Sequence, residues 1–363
     1  MTGLSHLFSK KDLELLSNYH SLIEKDLEQC RLDYLNDYPY IREPLDYIFK
    51  APAKRLRALL ILVFGEIFGA KTEQLLVLVR AVELMHASTL IHDDLPCLDN
   101  DDYRRGIPSL HKVFGEGEAL LLGNIIFSLA LKQISQLNLD SYLNIGDISR
   151  DISCSGLKNR NSLSQYFIET YIKINIGQIL DISRDAEKGK IDQSDYNIRL
   201  TQVIFKYLKE INLDQKDYIE HLIAKNCYKT GALFSFSILS PLFLLENKDS
   251  TWSSLLEEIG YIYGSLFQIV DDLLAMIDPK LVGKDINTDQ INKTPTFSQI
   301  VGVDDSIRII NKFKEVIFNK IDILADQLKN DQQKVDEAHI SLAKYLILLP
   351  ILRLPTDLLN NKI

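Results

Sequence analysis

Between Ile91 and Gly106 the chain reads Ile-His-Asp-Asp-Leu-Pro-Cys-Leu-Asp-Asn-Asp-Asp-Tyr-Arg-Arg-Gly, which places Asp93, Asp94, Asp99, Asp101 and Asp102 just ahead of Arg104 and Arg105. Carboxylates this dense repel one another unless cations sit among them. Hard oxygen donors at the end of an apolar stretch suit Mg²⁺, which is held by one or two carboxylates together with a substrate's phosphates. The two guanidinium groups offer planar, permanently charged forks for phosphate oxygens. A metal clamp beside an anion clamp suggests a diphosphate substrate. One aspartate pair alone is more often a solvated turn between helices. A second pair, Asp271-Asp272, at the end of another apolar run weakens that reading, because helix bundles hold metal ions between carboxylates on facing helices.

Spacing sharpens the first motif. Pro96 disfavours helical geometry at Leu95, so a helix should bulge or end there. Looping out Pro96 and Cys97 brings Asp93 and Asp99 as near as residues four apart on one helical face. His86 lies seven residues before Asp93, about two turns, and so on the same face. Upstream, Lys54-Arg55-Leu56-Arg57 opens a strongly apolar helix that continues through Ala58-Leu59-Leu60-Ile61-Leu62-Val63. Cations at a helix start oppose the macrodipole, which is easier to understand if an anion binds there.

In this order the motifs resemble the short-chain trans-isoprenyl diphosphate synthases of the polyprenyl synthetase family. With Pro96-Cys97 as an extra pair in the first motif, and with Arg104-Arg105-Gly106 and His111-Lys112-Val113-Phe114-Gly115-Glu116 after it, the chain is most similar to bacterial and plastid geranylgeranyl diphosphate synthases. The resemblance implies an all-α isoprenoid synthase-type helical bundle around a central cavity. It implies Mg²⁺-dependent head-to-tail condensation of isopentenyl diphosphate with allylic diphosphates, releasing diphosphate. On it, Asp93, Asp94, Asp99, Asp271 and Asp272 carry three Mg²⁺ ions per site, Asp272 being the weakest assignment. Lys54, Arg57, His86 and Arg105 bind isopentenyl diphosphate. Arg104, Lys229, Thr230, Gln268, Lys284 and Lys293 bind the allylic diphosphate, Arg104 and Lys229 being counted as catalytic with Asp93, Asp94, Asp99 and Asp271. Gly177-Gln178-Ile179-Leu180-Asp181 resembles the family's Gly-Gln-x-x-Asp helix on the cavity wall. Small Ser88 and Thr89, with Met85 deeper, form the floor that sets product length, and geranylgeranyl diphosphate is the expected product.

The chain also departs from the family pattern. Pro52 and Ala53 stand where relatives have glycines, Ala58 where they have proline, and Ala275 where they have the third aspartate of the second motif. Asp278 is a weak substitute for that aspartate, because Pro279 follows it. Three other readings therefore stay open: a farnesyl diphosphate synthase, a catalytically degenerate subunit that tunes a partner synthase, and a terpene cyclase. Lys54, Arg57 and Arg105 argue against the cyclase, which has no second diphosphate to bind.

These residues need long helices to position them. At 363 residues and 46% hydrophobic content, without a Gly/Ser or Pro-rich linker, the chain reads as one helical domain over 1–363 with a helical insertion at about 183–226. Hydrophobic patterning predicts helices over 11–36, 73–94, 119–134, 304–330 and 333–352, the resemblance implies one over 174–181, and Pro39 and Pro44 mark a turn. A net charge of −9 argues against a nucleic-acid partner. Four scattered cysteines give neither a zinc site nor a disulfide framework and fit a cytoplasmic setting. No signal peptide is expected, and no continuous apolar run of ~18 residues to span a membrane. A homodimer is the expected assembly.

Overall fold

The computed structural model describes residues 9–137, 142–143, 161–182, 202, 204–208, 216–245, 251–277, 296–330, 336–355 and 358. Helix α1 (Lys10–Asp37) starts at a capping box: the Asp12 N–H donates to the Ser9 hydroxyl at 3.2 Å and the Ser9 N–H to the Asp12 carboxylate at 2.9 Å. A 3₁₀ turn at Pro39–Ile41 leads into α2 (Arg42–Lys50). Pro44, expected in a turn, lies instead in the first turn of α2, where a missing N–H forfeits no helical bond.

Next come α3 (Leu56–Ile67) and α4 (Thr72–Asp93), then a hairpin of β1 (Tyr103–Arg104) and β2 (Ile107–Pro108), then α5 (Leu110–Phe114) and α6 (Glu116–Gln136). A two-residue ladder pairs β3 (Tyr142–Leu143) with β4 (Asn161–Ser162) ahead of α7 (Leu163–Ile182). Helix α8 (Lys216–Asn226) runs through a π turn (Cys227–Gly231) into α9 (Ala232–Leu239). The remaining helices are α10 (Thr251–Ile277), α11 (Phe297–Asn330), kinked at Gly302 where φ is +83°, and α12 (Glu337–Leu348). Of the insertion at 183–226, only α8 and a few preceding residues are described.

A helix with no polar face belongs inside a bundle. Helix α3 is buried from Ala58 to Gly65 and α9 along its whole length, and the other helices pack around them. Each fully buried Leu or Ile contributes about 1.5–3 kcal/mol, so these two helices anchor the rest. Helix α4 lies against α3 and α6, and α10 lies against α9 and α11. The chain ends meet where the Tyr19 hydroxyl contacts the His339 ring at 2.7 Å and the Ser341 hydroxyl donates to Asp12 at 3.0 Å. The nearly all-helical architecture matches the sequence expectation.

One expectation is corrected. Among the described residues three segments, Thr72–Asp93, Glu116–Gln136 and Ile219–Leu244, are long and apolar enough to cross a membrane by length and composition alone. A helix packed inside a bundle needs as many apolar residues as one facing lipid, and 94% of the tested window in Ile219–Leu244 is buried against the protein itself.

Candidate active site

The acidic wall is made where α4 ends. The helix stops at Asp93, and the chain turns back so that the Asp99 N–H donates to the Asp93 carbonyl at 2.9 Å, leaving Pro96 and Cys97 exposed. The looped-out pair does bring Asp93 and Asp99 together. Asn100 takes a left-handed conformation (φ +54°), which its short polar side chain tolerates. Burial first, then the neighbouring Asp99 and Asp94, push the Asp93 carboxyl up to about 7, with Lys229 pulling the other way. Burial likewise pushes Asp94 up to about 6 against the hydrogen bond from Arg104. Arg104 clamps this wall from the hairpin: its Nε donates to Asp94 at 2.8 Å and an Nη to Asp101 at 2.8 Å.

Helix α7 and the π turn supply the next group. A Cβ on Gly177 would fall 2.2 Å from the Lys229 backbone nitrogen, so only glycine lets α7 approach this closely. That approach puts Asp181 2.5 Å from the Lys229 ammonium, with Lys225 on its other oxygen at 2.9 Å. The Lys229 ammonium also lies 4.0 Å from Asp99, and Gln178 donates to Asp99 at 3.1 Å. Against burial, which favours its neutral form, Lys229 is held protonated by Asp181 and then by Asp99 and Asp93. A π turn widens the helix by one residue, a device frequent at functional sites.

On α10, Asp271 and Asp272 separate into two roles. Asp272 accepts from Gln268 at 3.0 Å and from the Phe297 N–H at 3.1 Å, and Gln268 accepts from the Thr230 hydroxyl at 3.2 Å. These bonds make Asp272 an anchor between α10 and the start of α11. Asp271 receives an Nη of Arg353 at 2.5 Å. Ala275, one turn on, is half-buried and offers no carboxylate.

The basic wall stands at the start of α3. Arg55 caps that helix in a left-handed conformation (φ +52°), at a cost of order 1–3 kcal/mol for a residue other than glycine. It is held by Glu24 and Glu83, each at 2.8 Å. Arg57 lies 3.3 Å from the His86 ring nitrogen and 4.4 Å above the Phe234 ring, and its buried Nε has no partner. Burial pushes Arg57 down to about 10, and burial followed by four arginines keeps His86 neutral. Arg105 and Gly106, both at positive φ (55° and 80°), form a type I′ hairpin tip, which holds Arg105 close enough to depress Arg57 and His86. Burial and then Arg353 lower the Lys54 ammonium, which is also within the field of Asp271.

Of the expected site residues, Asp93, Asp94, Asp99, Arg104 and Lys229 share one wall, and Lys54, Arg57, His86 and Arg105 share the other. Lys284, Lys293 and Asp278 lie outside the described residues. Met85 and Ser88 are fully buried on α4, the Ser88 hydroxyl donating to the Gly123 carbonyl of α6 at 2.8 Å. The half-buried Thr89 bonds back to His86. Glu83 and Arg353 were not singled out from the sequence. Glu83 stands one helical turn before His86, a local signal that could have found it. Arg353 reaches Asp271 across 82 residues and leaves no local signal.

Crowded, buried carboxylates whose charge is resisted fit a hard divalent cation. Mg²⁺ held by one or two such carboxylates would complete its shell with substrate phosphate oxygens. Residues 38–320 match the polyprenyl synthetase model. The chain belongs to the polyprenyl synthetase family. It is a prenyltransferase by that membership. Among relatives of the family, the large subunit 1 of the heterodimeric geranylgeranyl pyrophosphate synthase of Arabidopsis thaliana is 29% identical over 280 residues, 75% of this chain and 64% of that protein. The chain thus spans somewhat less than two thirds of that relative. The farnesyl diphosphate synthase of Buchnera aphidicola (Schizaphis graminum) is 30% identical over 83% of this chain and 88% of its own length. A Helicobacter pylori geranyltransferase, solved with magnesium and isoprenyl diphosphate, shares the family fold with a TM-score of 0.62 at 19% identity, covering 98% of this chain and 99% of that one.

Proposed function

We propose that the protein condenses isopentenyl diphosphate with allylic diphosphates and that geranylgeranyl diphosphate is its main product. The observation that carries this reading is the pairing of two walls: a cluster of charge-resisting carboxylates with Lys229 aimed at it, and a separate basic cluster of Lys54, Arg57, His86 and Arg105. Three Mg²⁺ ions on Asp93, Asp94, Asp99 and Asp271 would supply the positive charge that an allylic diphosphate needs to leave. Lys229 and Arg104 add fixed cations to the same leaving group, and Lys284 and Lys293 complete that set. Lys54, Arg57 and Arg105 hold the homoallylic diphosphate, and positioning its double bond is the second large term. Neutral His86 donates or accepts a hydrogen bond without adding charge. The apolar surroundings of α3 and α9 exclude water that would quench the cation.

Small Thr89 and Ser88 leave room for a long chain and support the longer product. The exposed Leu120, Leu121, Ile168, Ile172, Ile179 and Ile182 on α6 and α7 support a homodimer. The described cysteines are free thiols, which fits a cytoplasmic setting. The test is incubation with Mg²⁺, isopentenyl diphosphate and each allylic diphosphate, followed by product identification. Full activity in excess chelator would end the reading. Ala275, with Asp271 held by Arg353, favours one second reading, a regulatory subunit. It is selected if no allylic substrate turns over alone but a partner synthase changes its product when mixed with this chain.

A further inference from the structure

Glu83 lies on α4, one turn before His86, and is 9% exposed. Its carboxylate accepts from Arg55 at 2.8 Å, and its field favours the charged forms of Arg57 and Arg105. It is therefore the buried counter-charge of three arginines. The other end of Arg55 is tied to Glu24 of α1 at 2.8 Å. Arg55 is also the left-handed residue that joins Lys54 to α3. The left-handed turn is held on both sides by these two ion pairs.

We propose that Glu83 is a positioning residue: through Arg55 it fixes the turn that presents Lys54 and Arg57 to a phosphate, and so it sets affinity for the homoallylic diphosphate without touching it. This rests on reading the basic wall as the isopentenyl diphosphate site. Two physical effects oppose each other here, which makes the idea decidable. By field alone, removing a buried anion beside a phosphate site strengthens anion binding. By geometry, removing it releases Arg55, lets the left-handed turn relax and weakens binding.

The experiment is steady-state kinetics of Glu83→Gln in the full chain with Mg²⁺, varying isopentenyl diphosphate at fixed geranyl diphosphate and then the reverse. Positioning predicts that KM for isopentenyl diphosphate rises about tenfold, the scale of losing a hydrogen bond to a charged group, while KM for geranyl diphosphate changes little. An unchanged or lower KM for isopentenyl diphosphate overturns the proposal, and so does an equal rise in both. If Glu83→Gln does not fold, Glu24→Gln at the exposed end of the same chain decides by the same split, with no change overturning it. Arg57→Lys is the control on the underlying reading. If that variant leaves KM for isopentenyl diphosphate unchanged, the site assignment itself fails; if it raises KM while Glu83→Gln does not, only the positioning role fails.

Discussion

Asp93→Asn should abolish most turnover and yet stabilise the metal-free protein. The rise of the Asp93 carboxyl from 3.8 to about 7 means that the fold resists its charge. At about 1.36 kcal/mol per pK step this corresponds to roughly 4 kcal/mol at full strength, of which relaxation and water entry leave about 1–2 kcal/mol. Because the folded value is raised, the folded state binds the extra proton between about pH 4 and pH 7. The penalty is therefore absent at acid pH, grows as pH rises through that window, and is complete above pH 7. Asparagine keeps the shape and removes the charge. In excess chelator its melting temperature should exceed that of the wild type by about 1–3 °C at pH 8 and by clearly less at pH 5. Added Mg²⁺ should raise the wild type more than the variant. An Asp93→Asn protein that melts below the wild type at pH 8, or a gap equal at both pH values, would refute the electrostatic argument.

Asp271→Ala should lower turnover nearly as far as loss of Asp93, and Ala275→Asp should reduce the Mg²⁺ concentration needed for half activity; metal titrations of both variants check this, and two unchanged curves would show that the second motif holds no metal. Ser88→Tyr, if its ring enters the tunnel as the chain-length reading expects, should shift product toward farnesyl diphosphate, read by chromatography of the products. Unchanged product length would remove this face from the floor. Gly177→Ala puts a methyl group against the Lys229 backbone and should cost about 1–3 kcal/mol in chemical denaturation while lowering turnover, because Lys229 moves from Asp181.

The helices were legible where one residue type recurs at helical spacing, as in α1 and α4, whose ends lie within one residue of the pattern. The end of α4 was legible for a local reason, since Pro96 forbids the geometry that would continue it. The basic and acidic motifs carried their chemistry in adjacent residues, but that the neighbours Arg104 and Arg105 would turn to different walls depends on the hairpin and was not legible in the sequence. What the sequence hid was made by distant contacts. Nothing near Asp271 announces Arg353, and nothing near Lys229 announces a π turn. The three helices apolar enough for a membrane escaped notice because isolated polar residues interrupt each run without lowering its overall character.

The π turn also changes how the site helix must be read. An extra residue there sets the side chains after Gly231 about 100° out of phase with those before Cys227, the angle one residue subtends in a regular helix. Two faces that a straight helix would have superposed are thus aimed separately: the earlier half holds Lys225, and the turn itself Lys229, toward Asp181, while the later half keeps its apolar side chains in the core. Deleting one residue from this segment would restore a regular winding, and it would have to rotate one half or the other away from what it now serves.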